Sequence, residues 1–172
     1  MRATAEFLGQ LLVREVDREQ LTALRSAELA TALASLGITL PDAGAEDEWL
    51  EQRAAEYHEL FLRPEPGPLV QSLWTQGRYE GDATVRVREL AKHAGATFDR
   101  NAARGAAVDH LGCLMLLWAA SSTTAPEVAA EIERAHLTWA QPGLRRIAST
   151  GGFYAGVASA TLSWIDAVCT TE

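Results

Sequence analysis

The chain has 172 residues, of which 48% are hydrophobic, and a formal net charge of −8 at pH 7. A chain of this length buries one hydrophobic core well, whereas two cores would be thin, so we expect a single domain over residues 1–172. The charge argues against a nucleic-acid-binding protein, because a phosphate-binding surface needs clustered cations.

The sequence also lacks the usual signs of a metal site, a cofactor site or a membrane segment. Cys113 and Cys169 lie in apolar stretches without the spacing of a zinc site or a disulfide framework. No stretch reaches the roughly 18 apolar residues of a membrane span, and the N-terminus lacks a signal-peptide pattern. No phosphate-binding motif occurs. We therefore expect a cytoplasmic protein that needs no cofactor or metal and binds no membrane.

Apolar residues recur at the helical period along nearly the whole chain, which predicts an all-α fold. The first helix ends near Val16 and carries an apolar stripe made of Phe7, Leu8, Leu11 and Leu12. The second begins after Asp17, which with Gln20 can form a capping box, and it stops at Gly37. Its inner face includes Leu29, Leu33 and Leu36.

A third helix is predicted from the acidic residues 46–48, which suit the positive end of a helix dipole. It must end by Arg63, because the prolines that follow lack an amide hydrogen and fix φ. Residues 63–81 then contain three prolines, three glycines and the aromatic residues Trp74 and Tyr79. This composition predicts a long ordered loop, of a length that is usually functional.

The second half of the chain predicts further helices. One runs from Asp82 to Gly95, and another covers about residues 106–120 and is apolar on most faces, which is typical of a central buried helix. Pro126 suits the first turn of the next helix, which should carry Trp139 inward. Gly151 and Gly152 precede the last one. Together these elements predict a single-domain bundle of about eight helices with a long proline-rich loop.

Two segments carry the functional signal. The first has the pattern Tyr-x-x-Leu-Phe-x-x-Pro followed by a proline-rich stretch with a serine, and its matching residues are Tyr57, Leu60, Phe61, Pro64, Gly67, Pro68 and Ser72. The second is Asp109-His110-Leu111-Gly112. Both resemble the signatures of the redox-enzyme maturation chaperones, the family that includes the chaperones of trimethylamine N-oxide reductase, dimethyl sulfoxide reductase and nitrate reductase.

The resemblance implies a chaperone, not an enzyme, with an all-α fold like that of its relatives. Its partner would be the catalytic subunit of a molybdopterin oxidoreductase, bound through its twin-arginine leader peptide or as the apo form. Holding the leader would delay export until the molybdenum cofactor has been inserted. The resemblance also implies a monomer or a domain-swapped dimer. The residues that it implies for peptide binding are Tyr57, Leu60, Phe61, Pro68, Ser72, Leu73, Trp74, Asp109 and His110.

Chemistry gives the second signature a plausible role at a peptide site. A carboxylate at Asp109 can pair with a guanidinium through two parallel hydrogen bonds, and His110 can donate, accept or become charged near neutral pH. A structural interpretation of the same residues stays open. In that interpretation Tyr57 and Phe61 belong to the core, and Asp109 lies in the first turn of a helix for its dipole.

Two other functions stay open at this stage. An interaction protein that binds a folded redox subunit, without recognising a leader, would use the same groove. A small all-α enzyme is the more distant alternative, since His110 and Cys113 are one helical turn apart. A buried structural Cys113 is the better interpretation. The sequence also departs from the family pattern, because Leu114-Met115-Leu116-Leu117 stands where a Glu-containing stretch is expected.

Overall fold

The computed structural model describes residues 1–35, 38–63, 67–99 and 101–170, and all regular secondary structure in these ranges is helical. A π-helical turn, His58–Leu62, continues the helix that ends at Tyr57, and a 3-10 turn, Thr138–Ala140, precedes the helix that begins at Gln141. The all-α prediction is confirmed. The helices are α1 (Arg2–Val13), α2 (Arg18–Leu24), α3 (Ala27–Ser35), α4 (Glu46–Tyr57), α5 (Gln71–Gln76), α6 (Asp82–His93), α7 (Leu111–Ser121), α8 (Pro126–Ala135), α9 (Gln141–Ala148) and α10 (Phe153–Cys169).

Helices α1 and α7 form the centre of the bundle, and two glycines bring their backbones together. A Cβ atom on Gly112 would lie 2.6 Å from the carbonyl oxygen of Gly9 and 2.5 Å from Cγ2 of Val13. A Cβ on Gly9 would lie 2.9 Å from the carbonyl oxygen of Gly112. The absence of a side chain at both positions therefore permits this close crossing.

Helix α7 is the buried central helix that its apolar sequence predicts. Its start is corrected, since α7 begins at Leu111 and not near Ala106. The reason is that the carbonyl of Asp109 accepts from the amide of Gln71 and the amide of Leu111 donates to the carbonyl of Leu69, so the chain pairs with another segment here instead of continuing a helix. Trp118 of α7 packs edge-to-face against Trp164 of α10, with ring centroids 5.0 Å apart. The other large buried side chains of α7 are Leu111, Leu114, Met115 and Leu117.

The first predicted helix ends earlier than expected. Helix α1 ends at Val13, not near Val16, because the backbone of Arg14 is extended, with φ −149° and ψ 156°. The amide of Val16 donates to the phenol oxygen of Tyr154, at 3.2 Å. The amide of Val16 is therefore bound by a side chain of α10 and not by a further turn of α1.

The second predicted helix is divided into α2 and α3. Its capping box is confirmed, with the Asp17 side chain accepting from the Gln20 amide and the Gln20 side chain accepting from the Asp17 amide. The break falls at Ser26, whose carbonyl accepts the first hydrogen bond of α3; serine favours such a position. The predicted stop at Gly37 and the inner-face residue Leu36 lie outside the described residues.

The predicted loop at 63–81 contains a short helix, α5, so this prediction is also corrected. Proline-rich composition concealed it, yet no proline lies between Pro68 and the end of this segment, so the amides from residue 69 onward are available for helical hydrogen bonds. Helix α5 ends at Gln76 and is capped by Gly77, which has φ +69°, a conformation that glycine adopts without strain. The predicted loop residues Pro64 and Pro66 lie outside the described residues.

Other boundaries differ less from prediction. The helical run that contains α4 ends before Arg63, whose backbone is extended, as the prolines require. Helix α6 begins at Asp82, as predicted, and Gly81 takes the N-cap position. Helix α8 ends at Ala135, so Trp139 lies in the 3-10 turn and not on α8. Over the described ranges, no helix is long and apolar enough to cross a membrane.

Candidate peptide-binding site

The two signature segments lie side by side. Val70 and His110 form an isolated antiparallel β-bridge. The amide of Gln71 donates to the carbonyl of Asp109 at 3.0 Å, and the amide of Leu111 donates to the carbonyl of Leu69 at 2.8 Å. Segments that are far apart in the sequence are therefore joined by backbone hydrogen bonds immediately before α5 and α7 begin.

A buried hydrogen-bond pair reinforces this junction. One carboxylate oxygen of Asp109, Oδ2, accepts from the amide of Ser72 at 2.8 Å and from its hydroxyl at 2.6 Å. The Ser72 hydroxyl is also 3.3 Å from the hydroxyl of Thr84 on α6. Because Ser72 is in the first turn of α5, the carboxylate serves the N-terminal end of that helix. The idea that Asp109 lies in a helix's first turn is thus wrong, since it precedes α7 and serves α5.

Asp109 is closed off from solvent, with 0% of its surface exposed. Its second oxygen, Oδ1, is buried without a hydrogen-bond partner among the described residues. In this conformation a client's arginine cannot reach the carboxylate. Direct pairing with a guanidinium stays a prediction, and it requires the junction to open. The geometry gives Asp109 a structural task at the junction.

His110 is buried next to Asp109 and caps α7. Its Nδ1 accepts from the amide of Gly112 at 3.1 Å. Burial lowers the pKa of His110 to about 4, against the opposite effect of the neighbouring Asp109 carboxylate. The expectation that His110 becomes charged near neutral pH is therefore wrong for this conformation, and the ring is a neutral acceptor at pH 7.

An open groove of about 430 Å³ lies beside the junction. Four of the nine residues implied for peptide binding line it, namely Tyr57, Phe61, Pro68 and His110. We call this feature the aromatic groove. The rings of Tyr57 and Phe61 pack with their centroids 4.8 Å apart, and Phe61 packs edge-to-face on Tyr154 at 5.3 Å. Since Tyr57 and Phe61 are largely buried, they form its floor and also belong to the core, as the structural interpretation holds.

The rim of the aromatic groove carries exposed apolar side chains. Leu62, in the π-helical turn, is 59% exposed, and Tyr79, just before α6, is 55% exposed. Large hydrophobic side chains with this much exposure are costly to leave in water. The rim therefore offers apolar surface to a partner.

The remaining walls come from two distant parts of the chain. Residues 13–15 supply one wall and residues 103–107 another. The phenol of Tyr57 donates to the carbonyl of Leu12 at 3.0 Å, which ties the end of α1 to the floor. Arg104 and Glu15 form an ion pair of 3.3 Å between the two walls. The charges of these walls are thus largely balanced at the groove.

Leu60, Ser72, Leu73 and Trp74 do not line the aromatic groove. Leu60 and Ser72 are buried, and Leu73 and Trp74 are partly exposed on α5. The Trp74 indole donates to the carbonyl of Pro68 at 2.8 Å and packs near Trp139 at 6.4 Å. Trp74 therefore anchors α5, together with its proline-containing lead-in, to the 3-10 turn before α9.

Gln71, which the sequence analysis did not single out, fastens α5 to the end of α8. Its amide nitrogen donates to the carbonyl of Ala135 at 3.0 Å, and its amide oxygen is 2.7 Å from Nδ1 of His136. No local pattern predicts this contact, because its partners lie in a helix far along the chain. Leu62 and Tyr79 were also absent from the predicted site, although Leu62 lies within the first signature and Tyr79 was noted as an aromatic residue of the segment 63–81.

The chemistry of His110 and Cys113 differs from that of a catalytic pair. Burial raises the pKa of the Cys113 thiol to about 12, while it lowers the pKa of His110 to about 4. A thiol nucleophile needs the reverse, a thiolate beside a basic or charged imidazole. Within the ranges that the structure covers, no group of three or more His, Cys, Asp or Glu residues is placed to hold a metal ion.

The fold and the junction define an all-α bundle in which two distant segments are joined by backbone hydrogen bonds. The fold is similar to the crystal structure of a protein from Archaeoglobus fulgidus described as a redox enzyme maturation protein. The TM-score is 0.65 and the sequence identity is 16%, and the match covers 96% of this chain and 94% of that chain. The family model for the nitrate reductase delta subunit matches residues 17–141, well over half of the chain. The chain belongs to this family of maturation chaperones, which confirms the resemblance seen in the sequence. No curated protein matches the sequence significantly.

Proposed function

We propose that this maturation chaperone binds the leader peptide, or the apo form, of the catalytic subunit of a molybdenum-cofactor oxidoreductase, in the cytoplasm. Binding would delay export of the client until its cofactor is in place. The observation that carries the proposal is the position of the aromatic groove, which opens beside the hydrogen-bonded junction of the two family signatures. Family membership supports the class of client.

The aromatic groove suits the apolar part of a leader. In this proposal the client's apolar side chains pack on the floor made by Tyr57 and Phe61, between the exposed rim residues Leu62 and Tyr79. Burial of about 400 Å² of apolar surface at roughly 25 cal/mol per Å² gives about 10 kcal/mol before costs. Association and ordering remove several kcal/mol of this, which leaves an affinity on the order of micromolar. Such binding is reversible, as release to an export system requires.

The proposal divides the nine residues into three groups by their contacts. Tyr57, Phe61 and Pro68 contact the client, and His110 forms part of the wall. Ser72 and Asp109 position α5 and α7 so that the aromatic groove exists. Client contact by Leu60, Leu73 and Trp74 stays a prediction, and it requires a surface that extends along α5.

The experiment is calorimetric titration of the full chain with a synthetic peptide that has an Arg-Arg pair followed by an alternating run of leucine and alanine. We expect binding in the micromolar range, with a negative heat-capacity change from apolar burial. A pull-down that compares an intact molybdopterin subunit with its leader-deleted form then separates leader recognition from binding to the folded subunit. Equal capture of the two forms, together with no peptide binding, would overturn leader recognition.

A further inference from the structure

A second cleft adjoins the aromatic groove. It has a volume of about 420 Å³ and lies between α1, α7 and the segment that follows α6. Val13, Arg14 and Ala103 line both features. The two features therefore share a wall.

The floor of the second cleft is apolar. Helix α7 is hydrophobic on almost all sides, and here its Leu116 is only partly covered while Ala120 is exposed. Phe98 and Leu117 complete the apolar lining. An apolar helix face that stays partly uncovered is a surface for a partner, since burying it is favourable.

The rim of the second cleft is acidic, unlike that of the aromatic groove. Glu19 and Asp99 line it together with Arg14, and Arg14 is already paired with Asp17 at 3.3 Å. Glu19 forms no ion pair within the described ranges, and both Glu19 and Asp99 are exposed. At the aromatic groove, by contrast, Glu15 is neutralised by Arg104. The second cleft therefore favours a cationic occupant.

We propose that the basic residues at the N-terminal side of the client's leader bind in this second cleft, while the apolar run that follows them occupies the aromatic groove. This inference rests on the proposed function. Export leaders place their positive charges before the apolar run, which matches the order of an acidic cleft and a neutral aromatic groove. The leader would thus lie with its N-terminus near Glu19 and Asp99 and its C-terminal side near Leu62 and Tyr79.

Two peptides and three proteins test the charge assignment. The peptides are the Arg-Arg peptide above and a Gln-Gln version of it. The proteins are the wild type, the double variant Glu19→Gln with Asp99→Asn, and a matched variant, Glu127→Gln with Asp166→Asn, that changes the net charge equally on α8 and α10. Asparagine at position 99 keeps the oxygen that accepts from the amides of residues 101 and 102.

We expect the Glu19/Asp99 variant to bind the Arg-Arg peptide about threefold to tenfold more weakly, the range expected for one or two exposed ion pairs. Its affinity for the Gln-Gln peptide should equal that of the wild type, and the matched variant should bind both peptides normally. An equal loss for both peptides, or the same loss in the matched variant, would overturn the assignment.

The direction of the leader is tested by photo-crosslinking. A benzophenone at the N-terminus of the Arg-Arg peptide should label α2 or residues 96–99, and one at its C-terminus should label the region of Leu62 or Tyr79. Reversed labelling would contradict the inference while leaving the proposed function intact. If neither peptide binds the wild type, the proposed function fails and this inference fails with it.

Discussion

The carboxylate of Asp109 accepts two hydrogen bonds from Ser72, one from its amide at 2.8 Å and one from its hydroxyl at 2.6 Å, where solvent does not reach. Each residue belongs to a different family signature. The two signatures are therefore parts of one structural unit, in which Asp109 holds the start of α5 against the residues that precede α7. The aromatic groove opens beside this unit.

Removal of the Asp109 carboxylate should destabilise the fold. In Asp109→Ala, the amide and hydroxyl of Ser72 lose their acceptor in a buried environment, which should lower the free energy of unfolding by about 1–3 kcal/mol. Asp109→Asn keeps an acceptor oxygen and should cost less. Urea unfolding followed by circular dichroism gives these values. The control is Asp42→Ala, at an exposed position, where the free energy of unfolding should change by no more than about 0.5 kcal/mol. An Asp109→Ala protein as stable as this control would rule out the structural role of Asp109.

The crossing of α1 and α7 should not tolerate a methyl group at Gly112. In Gly112→Ala the new Cβ would lie 2.6 Å from the carbonyl oxygen of Gly9 and 2.5 Å from Cγ2 of Val13. Overpacking of this kind costs about 1–3 kcal/mol, and thermal unfolding should show a lower Tm. Adding Val13→Ala removes only the side-chain clash, so it should restore little of the loss. Full rescue by Val13→Ala would mean that the backbones move apart easily.

Stability should fall as the pH drops below neutrality. Burial lowers the pKa of His110 to about 4 from its ordinary value of 6.5, so the unfolded chain takes up a proton before the folded one does. His110 makes its full contribution to the free energy of unfolding above about pH 6.5 and loses it as the pH falls toward 4. By pH 5 the free energy of unfolding has fallen by about 2 kcal/mol for this reason. Burial also lowers the pKa of His136, which adds a loss of the same sign.

Urea midpoints at pH 7 and pH 5 measure this effect. His110→Asn keeps a side-chain acceptor for capping α7 and cannot take up the proton, so its midpoint should fall less between the two pH values than that of the wild type. The exposed His58→Asn should behave as the wild type does. An unchanged pH dependence in His110→Asn would show that His110 is not held neutral by burial.

The features that the sequence predicted depend on neighbours along the chain. The Asp17 and Gln20 capping box spans a few residues, and the helical run of α4 ends where prolines remove donors, so local chemistry decides both. The two signatures identified the family in the same way, since each is a short pattern. Helix α5 was missed because the surrounding prolines and glycines dominate the composition of residues 63–81.

The rest of the site depends on contacts that no local pattern contains. Asp109 looks like an accessible anion in the sequence, and only the distant Ser72 turns it into a buried acceptor. The walls of the aromatic groove, residues 13–15 and 103–107, come together only in the folded chain. The close approach at Gly9 and Gly112 likewise needs two helices far apart in the sequence.

The central claim is that the aromatic groove binds the apolar part of a leader, and a pair of charge insertions tests it most directly. Leu62→Glu places a carboxylate on the rim of the aromatic groove. Val85→Glu places one on α6, at an apolar residue that does not line the aromatic groove but is about equally exposed, 54% against 59% for Leu62. Calorimetric titration with the Gln-Gln peptide, which carries no charge to attract either carboxylate, should give at least about a tenfold loss of affinity in Leu62→Glu, equivalent to 1.4 kcal/mol. Val85→Glu should bind as the wild type does, and equal affinities of the two folded variants would contradict the claim.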